Sequence, residues 1–149
     1  MNLFLRVVIV WIKSWFKPRI GLLDAFSLVD VCVIDFFLRS GVVNILRRNK
    51  WTPLVVYKDM KFLKALRFPG KFVVKSQFLG WDDDAVIAQH VFERAGTVVA
   101  TGYTVARFID SRGKALKTSD VAAQFGAPSK PVIPDHALAT LARSRRGVD

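Results

Sequence analysis

Asp24, Asp30 and Asp35 stand inside an otherwise apolar run, "GLLDAFSLVDVCVIDFFLRSG" (residues 21–41), with Arg39 near its end. A carboxylate in apolar surroundings can serve as a general base or a nucleophile. Its more ordinary state is pairing with an arginine or a backbone donor. Asp30 and Asp35 are the candidate catalytic residues; Asp24 stands where it would cap a helix N-terminus. Asp82, Asp83 and Asp84 look like an acid or metal cluster but lie between two strand patterns, where aspartate is a turn residue. The other ligands of a calcium loop are missing. His90 alternates with Ala88 and Phe92 on one strand face, which suits a hydrogen-bonded, partly buried histidine better than a general base. Cys32, inside the apolar run, reads as a small inert apolar residue, and His136 has no evident partner.

The chain of 149 residues has room for one domain with a core, and half of it is apolar. A single cysteine excludes an internal disulfide and favours a reducing compartment. No Cys/His spacing for zinc, glycine-rich phosphate loop or repeat is present, so no cofactor is expected. The net charge of +11 attracts nucleic acid, anionic lipid or phosphate-bearing substrates such as coenzyme A thioesters. No nucleic-acid motif accompanies it, and nucleic acid is not an expected partner.

These residues need elements to hold them. At the N-terminus, Asn2, Arg6, Lys13 and Lys17 share one stripe of a helix, with Leu, Val, Ile, Trp and Phe elsewhere. From Leu3 to Phe16 such a helix spans roughly 21 Å, short of the ~30 Å hydrocarbon core. An amphipathic helix lying on an anionic membrane surface, or docked on protein, is expected, ended by Pro18. The apolar run that follows covers every face of a helix and so reads as a core helix, broken at Gly41. "VVNILRRNK" is a short basic helix. "TPLVVYKDMKFLK", "GKFVVKSQFLG", "AVIAQHVFER" and "TVVATGYTVARFID" read as strands, the last two joined by a tight Ala95-Gly96 hairpin. Ala100, Gly102, Thr104 and Ala106 form a small-residue row that lets another element come close. The tail ends in a short helix capped by Asp135 and stopped near Gly147. The order implies an α+β fold with an antiparallel sheet curled round one helix.

The segments "VDVCVIDFFLRSG", "KWTPLVV" and "FLGWDDDAVIAQHVFERAGTVVATGYTVARFID" resemble the hotdog-fold acyl-CoA thioesterases of the 4-hydroxybenzoyl-CoA thioesterase superfamily. The branch with an apolar N-terminal segment ending in a "PRIG"-like turn is the nearest, here at Pro18 to Gly21. The resemblance covers most of residues 1–110 and implies a sheet wrapped round one long helix, a homodimer, and hydrolysis of a long acyl thioester. Family members carry a first strand, an aspartate-bearing loop and a His-x-Asn-like segment before the central helix. Here Gly21-Leu22-Leu23-Asp24 runs straight into "AFSLVDVCV". The catalytic aspartate and histidine match no residue, and the first strand is expected to be absent.

The resulting expectation is hotdog-like: residues 1–20 an amphipathic helix, 21–126 an incomplete hotdog-like domain, and 127–149 a basic tail with a short helix. Asp30 and Asp35 would be the carboxylates nearest the cleft. The function expected is that of an acyl-CoA thioesterase-like protein, the alternative a non-catalytic acyl-chain-binding or membrane-surface protein. Acyl-CoA or another acyl thioester, an anionic membrane surface and a second copy are the expected partners. The expected place is the cytoplasm, peripheral to the membrane.

Overall fold

The structure, a computed structural model, describes residues 5–12, 22–65, 70–126 and 132–146. Elements follow in the order β1 (Leu5–Ile12), α1 (Leu22–Arg39), α2 (Val42–Asn49), β2 (Thr52–Phe62), β3 (Gly70–Trp81), β4 (Val86–Arg94), β5 (Thr97–Ile109), α3 (Thr118–Gln124) and α4 (Asp135–Arg146). The five strands make one antiparallel sheet in the order β1-β3-β4-β5-β2. The central helix and the four strands expected between Trp51 and Asp110 are all present. Ala95 and Gly96 make the β4–β5 hairpin with φ of 49° and 76°, the double left-handed pair of a two-residue turn.

The N-terminus is where the fold departs from expectation. Residues 5–12 form a strand, not part of an amphipathic helix, and they pair with β3 from Leu5↔Gln77 to Ile12↔Gly70. The cationic stripe is a local signal. Five of the eight residues of "LRVVIVWI" are β-branched, and β3 offers them an open edge whose backbone groups need partners. The sheet edge expected to be bare is therefore covered. Asn2, Lys13, Lys17 and Pro18 lie outside the described residues.

Strand alternation sorts the sheet into two faces. Phe72 and Val74 of β3, Phe92 of β4 and Ala100 of β5 are buried against Val29 and Cys32 of α1, with Met60 of β2 packed beside them. The burial of α1 is one-sided: Val31, Ile34 and Leu38, one helical stripe away from the sheet, are 54%, 56% and 64% exposed. Within the row of small residues, Ala100 lies under α1. At Gly102 the close neighbour is instead β2, since a Cβ there would sit 2.5 Å from the Asp59 carbonyl oxygen and 3.0 Å from the Met60 side chain.

On the opposite face Ala85, Ile87 and Val105 pack against Ala137 and Leu141 of α4. The short helix expected near the C-terminus is thus a layer of the domain rather than part of a tail. Its Ala137, Thr140, Leu141 and Ser144 are buried, while Arg143, Arg145 and Arg146 face solvent. Residues 127–131 and 147–149, Gly147 among them, lie outside the described residues. Leu46 of α2 and Val121 of α3 close one end of the sheet over Phe108. No described helix is long and apolar enough to cross a membrane.

Candidate functional site

Two of the three carboxylates of α1, Asp30 and Asp35, are engaged. Asp30, half-exposed, pairs through Oδ1 with Lys58 Nζ of β2. Asp35 pairs with Arg39 Nε at 2.8 Å, one helical turn on. Asp24 lies in the first turn of α1. The structure does not bring Asp30 and Asp35 together as a reacting pair; each holds a cation, the ordinary state of a carboxylate on a packed helix.

Asp82 organises a turn. Its Oδ1 accepts hydrogen bonds from the Asp84 and Ala85 N–H groups, both 2.9 Å, and Oδ2 pairs with Arg145 of α4. Asp83 supplies a backbone carbonyl to the Thr118 N–H. Among the described residues no group of His, Cys, Asp and Glu could hold a metal ion. His136 is exposed, its ring 6.1 Å from that of Tyr103.

The polar cluster that single-sequence reasoning missed lies between α1 and the sheet. β3 and β4 pair with Ser76 opposite His90. His90 is fully buried, its Nδ1 2.7 Å from Ser76 Oγ and its Nε2 3.0 Å from Thr104 Oγ1. Cys32 of α1, also fully buried, lines the same small cleft as Ser76 and His90. A neutral imidazole accepts at one nitrogen and donates at the other, so one hydrogen-bonded chain runs Ser76–His90–Thr104, with Cys32 beside it. Only the alternation of Ser76 with Phe72 and Val74, and of His90 with Phe92, hinted at it. The register that joins them is a tertiary fact.

A serine, a histidine and a second hydroxyl in line suggest nucleophilic catalysis. Two observations argue against it. Burial, helped by the Lys58 charge and opposed by Asp30, pushes the His90 imidazole down to about 4, which makes it a weak base at neutral pH. The cleft lined by Cys32, Ser76, Phe78, Ala88 and His90 is about the size of one water molecule. The Cys32 thiol is pushed up to about 11, by burial first, so it is not a thiolate nucleophile.

A family model described as the thioesterase-like superfamily matches residues 24–141. The chain belongs to that superfamily. The match runs from the start of α1 into α4, so the outer helix falls within the family's domain. Among solved structures, the fold is similar to YbaW, a probable thioesterase from Escherichia coli (TM-score 0.71, 14% identity, covering 83% of this chain and 97% of that one). It is similar to a DHNA-CoA thioesterase from Staphylococcus aureus (TM-score 0.68, 13% identity, 82% and 89% covered). The hypothetical protein SAV2348 from Staphylococcus aureus, solved in complex with CoA, matches with a TM-score of 0.64 at 12% identity, with 89% of both chains covered. At such identities the likeness is one of fold, and the fold is hotdog. No curated protein matches in sequence.

Proposed function

We propose that this thioesterase-like protein recognises acyl-CoA-type thioesters and hydrolyses them at no more than a residual rate. The observation that carries this reading is the state of the α1 carboxylates: in a thioesterase-like fold, Asp30 and Asp35 are each ion-paired. The residues between β1 and α1, "KSWFKPRIG", include no aspartate, glutamate or histidine. Support for an acyl-CoA ligand comes from the superfamily, from a net charge of +11 suited to the coenzyme's phosphates, and from the CoA-bound structural neighbour. The cytoplasm remains the proposed place, on the evidence of a single cysteine, buried and reduced.

Thiol release from a series of acyl-CoAs, alongside calorimetric binding of the same compounds, tests the reading. Binding with turnover near the blank is expected, since loss of a general base costs ~10²–10⁴ in rate. Asp30→Asn and Asp35→Asn should leave that low rate unchanged. A robust rate that either variant abolishes would make that aspartate the base and overturn the proposal.

A homodimer is also proposed. β2 forms one edge of the sheet, and Leu54 and Val55 are exposed along it. Light scattering should give twice the chain mass at micromolar concentration. A membrane-surface role loses its amphipathic helix, because residues 5–12 are a strand, and rests on the net charge alone.

A further inference from the structure

Helix α1 is held to the sheet by one ion pair within an apolar seam. Asp30 reaches Lys58 on β2, and Cys32 lies over the small cleft that Ser76 and His90 also line. His90 lies on β4, bonded to Ser76 on one side and to Thr104 on the other, and Thr104 stands in register with Lys58. The rest of the seam is Val29, Phe72, Val74, Phe92, Val99 and Ala100. We infer that His90 is an acid-operated latch: its protonation releases α1 from the sheet and opens the seam while the rest of the domain stays folded.

The charges around His90 set the direction. From α1 come Asp30 and the neutral Cys32, the latter itself near Asp35; from β2 comes Lys58. On β1, Arg6 stands in register with Ser76. β3 and β5 contribute hydroxyls, Ser76 and Thr104, and the Lys75–Glu93 pair lies on alternate positions pointing to the other face. An imidazolium would therefore sit beside a lysine in a closed apolar layer, with Asp30 already engaged by that lysine. Such a charge needs water. On the opposite sheet face α4 packs over Ala85, Ile87 and Val105, whereas α1 is gripped on one face only, so lifting α1 is the less costly way to admit it.

The sign follows from linkage. The folded imidazole titrates at about 4, and an opened one returns toward the ordinary 6.5. The closed seam is thus fully favoured above pH 6.5 and loses its advantage as pH falls from 6.5 to 4. A difference of about 2.5 pH units corresponds to a ~300-fold rise in the open fraction.

Cys32, the only cysteine, is fully buried in the seam and reports its opening. The full chain would be labelled with 4,4′-dithiodipyridine between pH 7.5 and 4, each rate divided by that of the urea-unfolded chain at the same pH. Circular dichroism would follow the sheet in parallel. The expected result is a ~100-fold or larger rise in relative labelling while the sheet signal holds. His90→Gln, a neutral residue of similar reach, should flatten the profile. Lys58→Met should give a smaller rise from a higher baseline. Protection of Cys32 down to pH 4, an unchanged profile in folded His90→Gln, or labelling that coincides with loss of the sheet signal would each overturn the inference. Should His90→Gln fail to fold, a Lys58→Met profile identical to the unmodified one would overturn it equally.

Discussion

A chain that begins at Ile20 should fail to form the monomeric domain, appearing as aggregate or as unfolded protein with no cooperative thermal transition. The truncation removes all eight register pairs between β1 and β3. It uncovers a β3 edge of long, apolar strand, with Phe72 and Val74 of the core beneath it. Unpaired edges of this kind invite pairing with other chains. The lost burial and pairing are comparable with the whole stability of a small domain, about 5–15 kcal/mol. Differential scanning calorimetry and light scattering on the two chains decide the matter. A truncated chain with the full chain's melting temperature would show that Leu5–Ile12 lies outside the cooperative unit.

Phe92→Ala should lower the free energy of unfolding by about 3–5 kcal/mol, measured by urea denaturation at neutral pH. Phe92 is fully buried on β4, in register with Val74 and Ala100, directly under Val29 and Cys32. Its removal costs the transfer of an aromatic ring and leaves a cavity in the α1–sheet seam. Neither sheet neighbour can fill that cavity, because Ala100 is small and Val74 is fixed in the ladder. Phe92→Leu, which keeps most of the volume, should cost about 1 kcal/mol. Equal losses in the two variants would mean that the seam collapses around the gap, and that α1 is less tightly fixed than its burial implies.

Much of the architecture is readable along the chain because the signals concerned are local. The 18 residues of α1 are apolar on all sides and end at Arg39, just before Gly41, whose φ of 76° suits a residue without a side chain. β2 to β5 announce themselves by β-branched and aromatic residues, and the Ala95-Gly96 turn by its glycine. Asp82 is a turn aspartate for the reason its position suggests, a carboxylate that reaches back to the N–H groups two and three residues on. The C-terminal helix begins at Asp135, which stands in its first turn rather than at the cap position, which Pro134 holds.

The N-terminal strand shows how a local signal loses. Arg6 and its neighbours have helical spacing, and the segment alone would gain from showing that stripe to water or lipid. Pairing with β3 decides otherwise, because it satisfies backbone groups on both strands at once. Position in the chain says nothing of a vacant sheet edge 60 residues further on.

By itself the sequence determined the class of fold and the net positive charge, since these are properties of composition and of residues in order. Only the tertiary structure decided that residues 5–12 complete the sheet, that α4 is a layer and not a tail, and that Asp30 meets Lys58. It alone assembled Ser76, His90 and Thr104, drawn from three strands, into one buried chain of hydrogen bonds beneath Cys32 of α1. The physical reason is register. A strand's alternation tells which residues share a face, but a slip of two residues preserves every face while exchanging every partner. The burial that makes His90 a neutral, acid-sensitive group arises only when one register closes under α1.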